Sequence, residues 1–120
     1  MRALLALAVL AACGKGSSDP RADLVDAWKS GGITIGALEP AEVGFGADCK
    51  QTTVKALEVL LCVYQSADAA KAAQDPALAW IGEATGAARA SGKLLVAVVD
   101  RRKTDPSGKT INQLMKLTPK

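Results

Sequence analysis

The chain of 120 residues is long enough for one modest domain and too short for two. Its composition, 49% hydrophobic and 22% charged with a formal net charge of +3, is that of an ordinary globular protein. Histidine is absent, which excludes a Ser-His-Asp triad, a Cys-His pair and histidine metal sites. Nucleic acid is not expected as a partner, because the few aromatic residues offer little surface for stacking on bases.

The amino terminus has the layout of a secretory signal. Arg2 precedes an apolar run over residues 3–12, which is far shorter than the ~20 residues that span a bilayer. A short apolar region behind a positive charge is typical of a signal peptide, which is removed from the mature protein. Residues 1–12 are therefore left out of the predicted fold.

The sequence LAAC at residues 10–13 marks the predicted cleavage site. It resembles the lipobox of bacterial lipoproteins, in which a large aliphatic residue and two small residues precede a cysteine. The resemblance implies cleavage before Cys13, a diacylglycerol thioether on its sulfur and an acyl chain such as palmitate on the freed amine. Two or more chains anchor a protein stably to a membrane. The alternative is a cysteine buried on an ordinary N-terminal helix.

The residues after the cysteine indicate a tether and a location. Residues 13–18 form the predicted lipidated, flexible tether, since residues 14–18 are small and polar without apolar periodicity. Gly14 rather than an aspartate follows Cys13, so the resemblance favours the outer membrane over the inner membrane. The domain is expected to occupy residues 19–120.

Lipidation of Cys13 leaves two cysteines, Cys49 and Cys62, in an exported chain. An even pair in an oxidising compartment predicts a disulfide. Closing a loop of this length stabilises a fold by about 3 kcal/mol in the chain-entropy view. The alternative is two buried, unpaired cysteines that act as small hydrophobic residues.

The segment that starts at Asp19-Pro20 has the signals of a helix at both ends. Asp19 is the predicted cap, Pro20 suits the first helical position, and Gly31 is the predicted left-handed stop. Three apolar residues share one helical face: Leu24, Val25 and Trp28. Trp28 is accordingly expected to be a core residue.

Two strands are predicted in the middle of the chain. The glycine-rich region, broken by Pro40, predicts an extended stretch at 33–35 and a strand at about 43–49. The apolar run 57–65 predicts a buried central strand, with a helix as the competing interpretation of residues 53–65. Antiparallel pairing with Cys49 opposite Cys62 places the turn near Lys55-Ala56. Because that dipeptide is poor two-residue hairpin chemistry, a longer loop or a bulge is expected.

The second half of the chain alternates helices and strands. Residues 66–74 predict a short helix capped by Ser66, and Asp75-Pro76 ends it and starts another turn. Residues 85–91 are ambiguous between a helix tail and an edge strand, whereas 93–100 is a clear strand. In the last helix, Thr110 and Gln113 form a predicted capping box. Its apolar stripe consists of Ile111, Leu114 and Met115.

These elements predict an α+β fold. Helices and strands are interleaved, but the cysteine pair indicates antiparallel neighbours. The expected architecture is a small two-layer sandwich, with an antiparallel sheet of three or four strands and two or three helices packed on one face.

Few motifs could carry chemistry. The sequence SGKT at 107–110 lacks the upstream glycine of a phosphate-binding loop, since Lys103 occupies that position, and it predicts a turn into a helix cap. Two carboxylate pairs, Glu39 with Glu42 and Asp100 with Asp105, are conceivable acid–base groups, although solvated surface acids are the more ordinary interpretation. With Cys49 and Cys62 bridged, no thiol nucleophile or thiolate metal site is expected.

A basic cluster is the most distinctive feature of the domain. Arg101, Arg102 and Lys103 follow a strand and form a candidate anion-binding patch for phosphate or carboxylate. Residues 86–120 carry eight Lys or Arg against two Asp, while residues 17–85 carry five against ten acidic residues. The competing interpretation is a solvated turn at the end of a sheet.

The sequence predicts a function class rather than a ligand. We expect a membrane-anchored envelope lipoprotein with a non-catalytic binding or structural domain, and no cofactor beyond the covalent lipid on Cys13. Candidate partners are an envelope protein or an anionic glycan or lipid. The alternatives are a small envelope hydrolase or lyase that uses carboxylates, and an inhibitor-type protein that binds an envelope enzyme.

Overall fold

The computed structural model describes residues 19–119, so the predicted signal peptide, Cys13 and the tether lie outside the described residues. Within that part of the chain there are four helices and five strands. In chain order they are α1 (Pro20–Ser30), β1 (Glu39–Val43), β2 (Gly46–Val54), β3 (Leu57–Val63), α2 (Ala67–Ala72), α3 (Gln74–Ile81), β4 (Thr85–Ser91), β5 (Leu94–Asp100) and α4 (Lys109–Leu117).

The five strands form one antiparallel sheet in the order β1-β2-β3-β5-β4. The predicted α+β class and antiparallel sheet are confirmed, but the expected three or four strands are five. Two segments account for the difference. Residues 39–54 form a hairpin of two strands that turns at residues 44–45, not a single strand at 43–49, and residues 85–91 form the edge strand β4.

Helices cover both faces of the sheet, which corrects the expectation of a two-layer sandwich. On the front face, α1 and α4 pack on alternate residues of the central strands, such as Val59 and Leu61 of β3 and Val96 of β5. On the back face, Ala73, between α2 and α3, and Ala77 of α3 belong to a second cluster. Its strand residues are Cys49, Leu60, Cys62, Leu95 and Ala97. Because β3 and β5 are apolar at nearly every position, both of their faces need cover.

Helix α1 is fastened to the sheet by a buried arginine. Asp19 caps the helix by accepting from the Arg21 backbone N–H at 2.9 Å. The Arg21 guanidinium, 3% exposed, donates to the backbone carbonyls of Asp48 at 2.9 Å and Leu61 at 3.1 Å and to the Asp48 carboxylate at 2.9 Å. Desolvation lowers the pKa of Arg21, but its bonds to Asp48 and Asp19 outweigh this, and the net pKa is raised. The arginine thus joins α1 to β2 and β3.

The other predictions for α1, which concern its apolar face and its C-terminal end, are confirmed only in part. Trp28 is fully buried, as predicted, and its indole N–H donates to the Leu114 carbonyl of α4 at 3.1 Å. Val25 is only half-buried. The left-handed residue is Gly32 at φ 88°, whereas the predicted stop, Gly31, has φ −87°. The helix thus ends at Ser30, before Gly31, and the left-handed position falls one residue later than predicted, at Gly32.

The β2–β3 hairpin has the predicted register and an unexpected turn. Cys49 lies opposite Cys62 and Val54 opposite Leu57, so the turn contains only two residues. Both of them, Lys55 at φ 49° and Ala56 at φ 70°, are left-handed. The expected longer loop or bulge is wrong. Pairing of β2 with β3 requires a two-residue turn with positive φ, which matches the twist of the strands, although Lys55 and Ala56 disfavour that conformation.

The cap of helix α4 is a carboxylate that precedes the helix, not a side chain of its first turn. The Asp105 carboxylate accepts from the backbone N–H groups of Thr110 at 3.1 Å and Ile111 at 3.0 Å. The predicted capping box of Thr110 and Gln113 is wrong, since the helix begins at Lys109 and its N-cap position is Gly108. The apolar stripe is confirmed for Ile111 and Leu114, which are buried, and Met115 is half-buried.

Candidate binding site

A groove of about 520 Å³ opens on the back face of the sheet, beside the part that α2 and α3 cover. Its floor consists of Gln51 and Thr53 on β2 and Glu58 on β3, all exposed. Gln51 lies opposite Glu39 of the edge strand β1, and Thr53 lies opposite Glu58. Because side chains alternate along a strand, these residues share the face of the Cys49–Cys62 pair.

Trp80 of α3 and the segment before β1 line the sides of the groove. Trp80 is half-buried against the back-face cluster, which holds the indole in place. Opposite it, Gly36 and Ala37 line the groove, and the Gly36 N–H donates to the Thr53 carbonyl at 3.2 Å. The groove is thus lined by four separate segments of the chain.

Arg101 reaches from the end of β5 to Trp80 and partly neutralises the groove. Its guanidinium carbon lies 5.1 Å from the centroid of the Trp80 ring, within the range of a cation–π contact. The guanidinium donates to the carbonyls of Trp80 at 2.9 Å and Ile81 at 3.4 Å, at the end of α3. It also lies 3.4 Å from the Glu58 carboxylate. Arg101 therefore holds α3 to the sheet and balances the charge of Glu58.

Two threonine hydroxyls, on opposite faces of β2, lie close to Gly36. A Cβ atom at Gly36 would lie 3.2 Å from Thr52 Oγ1 and 3.3 Å from Thr53 Oγ1. Thr52 is 7% exposed, and its hydroxyl has no hydrogen-bond partner among residues 19–119. Because side chains alternate along β2, the Thr52 side chain lies on the same side as Val54, on the face opposite to Gln51 and Thr53.

The predicted cysteine pair forms a disulfide on the same face of the sheet. The two sulfur atoms of Cys49 and Cys62 are 2.06 Å apart, and both residues are buried. Nearby, the Tyr64 hydroxyl donates to the Phe45 carbonyl at 2.7 Å, and burial raises the pKa of Tyr64. The two sulfurs are used in the bridge, so neither is a nucleophile or a metal ligand.

Asp100 and Asp105, one of the predicted acid pairs, are linked through the Asp105 backbone N–H, and both carboxylates accept hydrogen bonds from the backbone. Asp100 accepts from the N–H groups of Thr104 at 2.9 Å and Asp105 at 2.8 Å, while Asp105 caps α4. Burial raises the pKa of Asp100, and the hydrogen bonds from Thr104 and Asp105 outweigh it, so the net pKa is lowered. An ionised acid held by donors in this way is a turn-forming group.

The other predicted charged residues are distributed over the surface. Glu39 and Glu42 are both exposed on the edge strand β1, and only Glu39 lines the groove. Within the candidate anion-binding patch, Arg101 is turned toward α3, whereas Arg102 and Lys103 are exposed in the loop after β5. The structure thus leaves Arg102 and Lys103 as the free members of that patch.

Four residues of the groove were not predicted from the sequence: Gln51, Thr53, Glu58 and Trp80. A signal was present for the first three, because polar residues at 51, 53 and 58 alternate with buried ones at 52, 54, 57 and 59. That pattern marks an open sheet face. It did not indicate which helix residue would stand beside it.

Comparisons with known proteins add no relative: no protein-family description, no curated protein and no solved structure matches this chain. Among residues 19–119, no group of His, Cys, Asp or Glu side chains is arranged to hold a metal ion. Over the same residues, none of the helices has the length and apolarity needed to cross a membrane.

Proposed function

We propose that this protein is a lipid-anchored lipoprotein of the bacterial cell envelope whose domain, residues 19–120, is a non-catalytic binding module. The observation that carries the proposal is the layout of the chain. A signal-type segment ends in LAAC, a small polar tether follows, and the first capped helix begins at Pro20. The anchor is the covalent lipid on Cys13, and the outer membrane is the favoured location.

The disulfide supports an exported location. Bridges such as Cys49–Cys62 persist in oxidising compartments and are rare in the cytosol. The bridge also adds stability to a fold whose small core is built largely from Ala, Val and Leu. Export is thereby supported by two separate parts of the chain, the amino-terminal signal and the bridge.

The structural roles of the buried charged side chains support a binding module rather than an enzyme. Arg21 fastens α1, Asp100 holds the loop after β5, and Asp105 caps α4. Each has backbone partners that explain its burial. The open groove beside Trp80 and the exposed bases Arg102 and Lys103 are the surfaces left for a partner, an envelope protein or a glycan or lipid among the candidates.

The intact mass of the native protein, isolated from membranes with and without reductant, tests this proposal. We expect a chain that starts at Cys13, carries added acyl mass and gains two hydrogens on reduction. Cys13→Ser should abolish the acyl mass and release the protein from the membrane fraction. A Cys49→Ser, Cys62→Ser double variant is the matched control, since it should keep the acyl mass and lose only the response to reductant.

An unprocessed chain that starts at Met1 and carries free thiols would overturn the proposal. A Cys13→Ser protein that stays wholly membrane-bound would overturn the lipid anchor.

A further inference from the structure

We propose that a basic surface at the end of the sheet opposite the tether binds a linear anionic polymer. This inference rests on the proposed function as a tethered binding module, and it names the ligand class and the orientation of the site. The distal basic surface consists of four exposed cations: Lys55, Arg102, Lys103 and Lys109.

Hydrogen bonds hold these cations in one folded unit. Continuation of the β3–β5 register places the β2–β3 turn beside the start of the loop after β5. The Thr104 hydroxyl of that loop donates to the Lys55 carbonyl of the turn at 3.4 Å. Asp100 and Asp105 hold the rest of the loop to the start of α4, where Lys109 lies. The distal basic surface is therefore part of the folded domain.

Its positive charges are not paired with acids. None of the four cations forms an ion pair with an acid among residues 19–119. The two acids of the loop are buried and accept from backbone N–H groups instead. Glu58 pairs with Arg101 on the back face. An exposed surface with unpaired cations attracts anionic molecules.

The backbone conformation of Lys103 is a separate indication of a site. Its φ is 59°, in the left-handed region that is unfavourable for lysine. Unlike Lys55, it lies outside any strand or two-residue hairpin, so strand pairing does not account for its conformation. Backbone strain of this kind clusters at binding sites.

The position of the tether decides what this surface faces. The tether joins the domain at Asp19, and Arg21 holds the first turn of α1 to Asp48, near the start of β2. Lys55 follows the other end of that strand, about 23 Å away at ~3.3 Å per residue. This separation exceeds the Debye length of about 8 Å at physiological ionic strength. The surface therefore faces away from the headgroups of the anchoring membrane.

The spread of the cations favours a chain of anions over a compact anion. They come from a turn, a loop and the start of a helix, and they line neither the groove beside Trp80 nor the smaller cavity beside Pro20. Lysine binds anions as a point charge, and arginine accepts both phosphate and carboxylate partners. A polymer that repeats such groups contacts all four cations and releases its counterions.

The test is isothermal titration calorimetry with inorganic polyphosphate, using the native lipidated protein in phosphatidylcholine vesicles. We expect saturable binding that weakens with salt. The double variant Arg102→Gln, Lys103→Gln should raise the Kd by at least about fivefold and lower the slope of log Kd against log salt by about 1–2. The matched control, Lys71→Gln with Lys93→Gln, removes the same charge at exposed sites elsewhere and should leave both quantities unchanged.

Absence of saturable binding, or equal effects in the two double variants, would overturn the inference. Orthophosphate that competes equally well per phosphate group would also overturn it, in favour of a compact anion. Lys109→Gln should raise the Kd by about twofold and decides the matter if the double variant fails to fold.

Vesicles that contain phosphatidylglycerol test the orientation. We expect a Kd within about threefold of the value in neutral vesicles, because the surface lies beyond the Debye length. A larger rise would place the cations on the anchoring membrane and overturn the inference. A lipidated protein that does not bind polyphosphate refutes only the distal basic surface. An unlipidated protein that binds it in solution refutes the anchor and the orientation but keeps the ligand class.

Discussion

At the scale of single residues, the β2–β3 turn shows strain that the sheet imposes. Lys55 and Ala56 both have positive φ, a conformation that costs an L-residue ~1–2 kcal/mol. Neither is the Asn or Gly that such turns prefer. The register of Cys49 with Cys62 and of Val54 with Leu57 leaves room for no other turn. Pairing along two whole strands outweighs the local cost.

Ala56→Gly should therefore raise the free energy of unfolding by about 1 kcal/mol, because glycine adopts positive φ without a steric penalty. Urea denaturation of the full chain measures the change. The matched control is Ala22→Gly on the exposed side of α1, which should lower stability by ~1 kcal/mol, as glycine does within a helix. Loss of stability in both variants would mean that the turn at Ala56 is not left-handed.

Arg21 is a second residue whose role depends on distant partners. It is 3% exposed and donates to the carbonyls of Asp48 and Leu61, on two different strands. Sequence reasoning treats an arginine in the first turn of a helix as a surface residue. The interior strands β2 and β3 supply these two carbonyl groups, and the long side chain of Arg21 reaches both.

At the scale of elements, α4 depends on a carboxylate that precedes it. Asp100 organises the loop after β5, and Asp105, positioned by that loop, caps the helix. This chain of hydrogen bonds links the end of the central strand to the start of the last helix. The loop therefore acts as one unit with the helix.

Asp105→Ala should lower the free energy of unfolding by about 1–2 kcal/mol, since two helix N–H groups lose their acceptor. Thr110→Ala is the informative comparison, because Thr110 is the cap that the sequence predicted. Its loss should change stability by less than about 0.5 kcal/mol, as at an ordinary peripheral site. Equal losses in urea denaturation would restore the capping box of Thr110 and Gln113.

At the scale of the whole molecule, the pH dependence of stability follows from carboxylates at opposite ends of the sheet. Burial raises the pKa of Asp19, but hydrogen bonds from Arg21 outweigh it, and the net pKa is lowered. The pKa of Asp100 is lowered as well. The chain has no histidine, so no side chain of that type titrates near neutrality.

A group whose pKa is lower in the folded than in the unfolded state stabilises the fold above its unfolded pKa of 3.8. That stabilisation is lost as the pH falls through the lower, folded pKa. We expect urea midpoints that hardly change from about pH 8 to about pH 5 and then fall below about pH 4. Asp100→Asn should flatten the acid limb, whereas Asp26→Asn, an exposed acid on α1, should leave it steep. An acid limb that is the same in all three proteins would refute the role of Asp100.

Local sequence patterns were enough to predict several elements of this fold. The cap at Asp19, the buried run of β3 and the aliphatic run of β5 predicted α1 and the two central strands. The parity of Cys49 and Cys62 predicted the bridge and the register of β2 with β3. These are local patterns of periodicity, capping and spacing, which each segment carries independently of its surroundings.

Four other features depend on contacts between segments that are distant in the sequence. The second layer of helices, the tight turn at Lys55-Ala56, the cap at Asp105 and the groove beside Trp80 arise where distant segments meet. The energies of strand pairing and of burial on both faces exceed the local preferences of a turn or a first helical residue. A groove lined by residues from four segments exists only once the sheet has brought them together.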